Sequence, residues 1–174
     1  MSKYRWKIAN TDKESAAVIA EEFSLEPLAA LLLASREMTD SQEIESFLFA
    51  DGLFRDPFEI VDMDKAVERI GCAVDTGEKI TIFGDYDADG VTSTTLLYLY
   101  LREQGADVDY YIPDRVSEGY GISSQAVREF AENGTRLIIT VDNGISAVEQ
   151  VRLANELGME VVITDHHKVG DILP

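Results

Sequence analysis

Apolar residues recur at helical spacing over residues 12–78. Ala16, Ile19, Ala20 and Phe23 form one stripe, and the leucine-rich stretch Leu28 to Leu33 follows. A helix is predicted from about Asp40 to Phe49, with Ile44, Phe47 and Leu48 on one face. Gly52 and the Asp56-Pro57 pair punctuate the pattern. A further helix from about Asp64 to Val74 carries Ala66, Val67, Ile70 and Val74 and stops before Gly77. Core packing accounts for all of these stripes. From Lys79 the rhythm changes. ITIFG, VDYYIP, RLIITVD and MEVVITD read as short strands, separated by helical stretches that close on Gly105, Asn133-Gly134 and Gly158. Strands alternating with helices through short connections predict an α/β fold, a parallel sheet with helices on both faces. Apolar runs without alternation predict strands buried on both sides. The expected organisation is a helical N-terminal segment, residues 1–78, packing on an α/β domain, residues 79–174.

Composition narrows the class. The chain has 174 residues, 45% of them apolar, enough for a core of ordinary size. The 15 Lys and Arg stand against 33 Asp and Glu, a net charge of -18, spread evenly along the chain. That excludes a surface that grips nucleic acid or anionic membrane as a whole. It leaves room for an enzyme that meets phosphate through metal ions, since cations on clustered carboxylates reverse the local field. The longest apolar run, Leu28 to Ala34, is far too short for a bilayer span, and no secretory signal follows the start. Cys72 is the single cysteine, which suits a reducing compartment, here expected to be the cytoplasm.

Ligands of such sheets bind beyond the carboxyl ends of the strands. Three of the four strand ends carry acid: Asp85, Asp87 and Asp89 in GDYDADG, Asp142 in TVDNG, and Asp165 before His166 and His167. One Asp in a βα loop is ordinarily a helix cap. Three acids spaced two apart are not explained that way. Carboxylates about 5 Å apart repel by roughly 3 kcal/mol per pair at an effective dielectric near 20, so a converging set calls for cations. The only two histidines of the chain, adjacent and directly after an acid, shift the expected ion from Mg²⁺ or Ca²⁺ toward Mn²⁺, Fe or Zn²⁺. Thr92, Ser93 and Thr94 are expected to open the helix after Gly90, where free N–H groups favour phosphate, with ordinary capping as the alternative. Arg115 is a candidate phosphate clamp, with a surface salt bridge as the alternative.

GDYDADGVTS, TVDNGIS and TDHHKVGDILP, in this order on a βα framework, resemble the DHH phosphoesterase superfamily. YRWKIA, FRDPFEIVDMDKAVERI and YYIPDRVSEGYGIS bring the resemblance closer to its 5′→3′ single-strand-specific DNA exonucleases, over essentially the whole chain. The fold implied is Rossmann-like. By position, the resemblance makes Asp87, Asp89, Asp142 and His166 metal ligands, with Asp142 bridging two ions and Asp165 supporting. It places His167 near the scissile phosphate, includes Asp85 in the first motif as a catalytic candidate, and supports Arg115 as a phosphate contact, while Thr92 and Ser93 remain phosphate candidates from the helix start. It implies Mn²⁺, with Mg²⁺ as the alternative, in a two-metal hydrolysis of phosphodiesters. Single-stranded DNA is the implied partner, in repair and recombination alongside other repair proteins and away from membranes. Members of this group continue past the DHH motif with a further metal-binding Asp, a DHHA1 domain and an OB-fold. This chain is therefore expected to be an N-terminal portion with weak activity of its own. Three rivals stand beside this. One is a small-substrate DHH enzyme, of nano-RNase or pyrophosphatase type. Another is an inactive DHH scaffold. The third is a haloacid-dehalogenase-like phosphatase, whose DxDGxT opening Asp87 to Thr92 resembles.

Overall fold

The computed structural model describes residues 11–49, 55–114, 119 and 121–174. The stretch YRWKIA and Arg115 lie outside the described residues. The chain divides into two compact units, with the boundary between Pro57 and Phe58.

In the first unit, α1 (Lys13–Glu22), α2 (Pro27–Ser35) and α3 (Ser41–Leu48) enclose Ile19, Ala30, Leu33 and Ile44. Asp12 caps α1, and its Oδ1 accepts the Glu14 and Ser15 N–H groups. Asp40 caps α3 by accepting the Glu43 N–H. Both satisfy donors that a helix start leaves open. Phe47, expected in the core with Ile44 and Leu48, is instead 64% exposed. The cluster seats the i, i+4 stripe of Ile44 and Leu48, and Phe47 falls on its flank.

A 3-10 turn, Pro57–Glu59, spans the boundary, and the second unit continues with α4 (Met63–Thr76). Then come β1 (Ile80–Phe83), α5 (Ala88–Glu103), β2 (Val108–Tyr111), α6 (Ser124–Glu132), β3 (Leu137–Val141), α7 (Val148–Glu156) and β4 (Glu160–Thr164). The strands pair in parallel in the order β2-β1-β3-β4. The two faces are packed separately. Ile80, Ile82, Leu137, Ile139 and Val141 meet Ala73 of α4 and Leu101 of α5. Phe83 and Ile138 meet Ala126, Val127 and Phe130 of α6 and Ala154 of α7. Period-two alternation sends successive strand residues to opposite faces, so apolar residues at every position suit a sheet covered on both sides.

Ile70, Ala73 and Val74 pack α4 on the sheet. Two expectations are corrected. Val67, one step around that helix from Ala66, is half exposed. Complete burial holds for β1 and β3 only. β2 and β4 are partly exposed because they are the edges. Among the described residues, no helix is long and apolar enough to cross a membrane.

The strand order places the site. From β1 the chain moves outward to β2, and α6 then carries it back past β1 to β3 and on to β4. The connections leave β1 and β3 in opposite directions, which opens a crevice beyond their carboxyl ends.

Candidate metal centre

β1 hands the chain to Gly84 and then to Asp85, whose buried carboxylate accepts the Tyr86 N–H at 2.7 Å. Asp87 caps α5, its Oδ1 accepting the Asp89 and Gly90 N–H groups at 3.0 Å each. The start of α5 sits directly on the end of β1. A Cβ on Gly90 would lie 2.5 Å from the Asp85 backbone nitrogen and oxygen, and one on Gly84 would lie 2.0 Å from Thr94 Oγ1. Only glycine leaves this approach open. α5 therefore begins at Ala88, before the expected start after Gly90. This corrects the premise for Thr92 and Ser93. Their N–H groups lie inside the helix, and their hydroxyls donate to Ala88 O at 2.7 Å and Asp89 O at 2.6 Å. Both residues still line the cleft beyond the sheet.

β3 ends at Val141, and Asp142 turns into the left-handed region with φ 62°. Asp is among the few residues that adopt this conformation at modest cost. Its N–H still donates to Thr164 O at 2.9 Å, which holds Asp142 against the end of β4. β4 delivers Asp165. The Oδ2 atom accepts the Ile145 N–H at 3.0 Å, and Oδ1 accepts the His167 N–H at 3.0 Å and lies 2.7 Å from His167 Nδ1. His166 turns the other way, with Nε2 2.8 Å from Asp142 Oδ1.

Two ligand-capable groups result. Asp85, Asp87 and Asp142 each bring an oxygen within 4.8 Å of the others, and so do Asp142, His166 and His167 with an oxygen and two ring nitrogens. Asp142 belongs to both. Asp89 joins neither group; it lines an open cleft of about 370 Å³ with Thr92, Ser93, Asp142, Asp165 and His166.

The proton affinities diverge. Burial raises Asp142, and the Asp87 charge adds to this against the opposing pull of the histidines. Asp87 is lowered, chiefly by the Gly90 N–H and against some desolvation. Burial acts to raise Asp165, but the Ile145 and His167 bonds outweigh it and leave the carboxyl lowered. The Asp165 hydrogen bond raises His167. Carboxylate oxygens with imidazole form a donor set that suits Mn²⁺, and a cation there would offset the charge that Asp87 and Asp142 impose on each other.

Sequence reasoning missed the buried polar residues that hold these ends. Asn143 Nδ2 donates to Phe83 O at 3.4 Å and Val141 O at 2.9 Å. Thr140 Oγ1 donates to Asn143 O at 2.8 Å, and Thr164 Oγ1 donates to Thr140 O at 2.7 Å. The available signal was a polar residue, Thr140, inside an otherwise apolar strand.

Residues 79–174 match the DHH family, N-terminal domain. The chain is 47% identical over 174 residues to the single-stranded-DNA-specific exonuclease RecJ of Bacillus subtilis, covering 99% of this chain and 22% of that protein. It thus spans less than a quarter of that relative's length. Among solved structures it is similar to exonuclease RecJ bound to manganese, with a TM-score of 0.60 and 42% identity over 63% of this chain and 28% of the other. RecJ of Thermus thermophilus in complex with Mn²⁺ gives a TM-score of 0.63 and 30% identity over 92% of this chain and 22% of the other.

Proposed function

The chain belongs to the DHH family, and on that premise we propose that it serves metal-dependent 5′→3′ hydrolysis of single-stranded DNA in repair and recombination. The observation that carries this reading is the position of Asp142, shared by the Asp85–Asp87 group and the His166–His167 group. A carboxylate common to two ligand-capable groups would serve an ion in each. The manganese-bound RecJ structures and the RecJ exonuclease relatives support the same choice of ion and substrate. We assign Asp87, Asp142 and His166 as ligands, with Asp89 approaching from the cleft.

Bound divalent ions would supply an activated water and neutralise charge on the phosphate and the leaving 3′ oxygen. The chain's own residues do the rest. Asp165 holds the His167 ring through Nδ1, which orients the ring for contact with a phosphate oxygen or for proton transfer. The Asp165 hydrogen bond raises the proton affinity of that ring. Asp85, buried and fixed by the Tyr86 N–H, contributes an oxygen to the group with Asp87 and Asp142. Thr92 and Ser93 flank the cleft, where their hydroxyl oxygens and the α5 surface border the substrate path. Arg115 is kept as a phosphate contact on the resemblance alone. A phosphatase using Asp87 as nucleophile is less favoured, because it gives no role to His166 and His167. The single, exposed thiol of Cys72 fits a reducing compartment, and we place the protein in the cytoplasm.

The test is a nuclease assay on 5′-labelled single-stranded DNA, using the protein that carries this sequence. Mn²⁺ should drive release of 5′-mononucleotides from single strands far faster than from duplex. Asp142→Asn should lower the rate by about a thousandfold or more, as loss of a bridging carboxylate from a two-metal site would. Equal rates for the two proteins, or digestion that ignores Mn²⁺, would refute the assignment.

A further inference from the structure

The three strand ends that carry the site are tied together beyond their ladders by a chain of hydrogen bonds the proposed reaction does not use. The β1–β3 register runs to Phe83 opposite Thr140, and the β3–β4 register to Val141 opposite Thr164. Past these pairs the backbones part toward different helices. There Thr164 Oγ1 donates to Thr140 O, Thr140 Oγ1 donates to Asn143 O, and Asn143 Nδ2 donates to Phe83 O and Val141 O. The route crosses from β4 through β3 to β1. Its members precede Asp165, Asp142 and Asp85 by one or two residues, apart from Asn143, which follows Asp142 directly.

We infer that Thr140 and Asn143 are positioning residues that set the place of the Asp142 carboxylate, and through it the affinity of the metal centre; this rests on the metal reading above. Asp142 lies inside the turn that Asn143 closes on Val141 O, so its left-handed backbone is held from both sides. Thr140 and Asn143 are each 1% exposed. The Asn143 Oδ1 is buried without a partner among the described residues. An unsatisfied buried amide oxygen costs stability, and a fold tolerates one where the group has another task. Here the amide is committed to two carbonyls that open the metal-carrying loops. Gly144 belongs to the same arrangement. At φ 106°, a Cβ there would lie 2.5 Å from Thr140 Oγ1, so the loop accepts the hydroxyl only because position 144 has no side chain.

The test compares Thr140→Val, which keeps the shape and removes the hydroxyl, with Thr140→Ser, which keeps the hydroxyl. Mn²⁺ affinity is read from the loss of the free-ion resonance on titration. Thr140→Val should weaken binding by about tenfold or more, the usual cost of losing a group that orients a ligand, and Thr140→Ser should stay close to the unsubstituted protein. Asn143→Ala cuts the next link and should match Thr140→Val. A second readout needs no metal. Amide exchange at Asp142 and Ile145 should quicken about tenfold in Thr140→Val, by local opening, and stay slow at Ile82 and Ile138. A purely structural threonine would lower the melting temperature and leave both readouts unmoved. That result, or a serine variant as impaired as valine, would overturn the inference. Failure of the unsubstituted protein to take up Mn²⁺ would overturn the metal reading instead, and the exchange data would still decide whether the tie holds.

Discussion

The two ends of the sheet are both rich in acid, and they treat it in opposite ways. At the amino end Arg69 reaches Glu78 and Glu160 at 2.6 Å each, and Lys79 reaches Asp109 at 3.0 Å. Each of these three acids meets a base, and the pairs join α4, the connection into β1, β2 and β4. At the carboxyl end the carboxylates meet histidine rings, His166 with Asp142 and His167 with Asp165, while Asp85, Asp87 and Asp142 converge on one another. Local structure does not separate the two kinds of acid. Asp12 of α1 and Asp87 of α5 accept N–H groups at the same two offsets from their own helices. The remaining oxygen of Asp12 accepts the Ser15 hydroxyl, whereas Asp87 faces Asp142. The same cap is structural in one place and part of a ligand group in the other, and the topology makes the difference.

The strongest way to break the contrast is to ask which end feels a cation. Mn²⁺ at about a hundred times its dissociation constant should stabilise the protein by about 3 kcal/mol, seen as a rise in melting temperature. Asp142→Asn should abolish that rise, and Glu160→Gln, at the opposite end, should leave it intact. Equal responses would erase the distinction. Next in size is Arg69→Ala. Arg69 holds two carboxylates from a largely buried position, so its loss should cost about 2 kcal/mol in denaturant unfolding, by the same amount with and without Mn²⁺. A cost that appears only with the metal present would link the two ends.

The smallest effect is the pH response of the carboxyl end. The folded-state affinity of His167 is raised above its ordinary 6.5 by Asp165. A raised histidine contributes stability that is fully present below that value and is lost as pH rises through the folded value. His167 is exposed, so the readout is its own titration by NMR, with a midpoint above 6.5 that falls in Asp165→Asn. A midpoint that ignores the substitution would remove the Asp165 contact from the site.

The sequence already shows most of the α/β pattern, because β1 and β3 are apolar runs interrupted only by Thr81 and Thr140 and the helices between strands close on Gly105, Gly134 and Gly158. It also shows that Asp87, Asp142 and His166 stand at strand ends. What it conceals depends on contacts between distant residues. The start of α5 at Ala88 follows from how closely Gly84 and Gly90 let two backbones approach. The exposure of Val67 and Phe47 depends on which neighbour a helix finds, and periodicity alone does not report that. Asn143 and Phe83 are 60 residues apart in sequence and meet only after β1 and β3 have paired. Asp89 shares a motif with Asp87, yet it lies on the first turn of the helix and points to the cleft wall.

The left-handed backbone of Asp142 has a consequence for how this gene can fail. If Asp142 serves the metals as proposed, position 142 needs a carboxylate in a left-handed backbone, so its usable alphabet comes close to one letter. Glycine and asparagine suit the backbone at least as well as aspartate, and each lies one base change from an aspartate codon. The easiest errors at this codon therefore yield a chain that folds well and has lost its central ligand. Such a product would escape the proteases and chaperones that remove unstable chains. It would persist as an intact, inert copy, its defect visible only to the substrate.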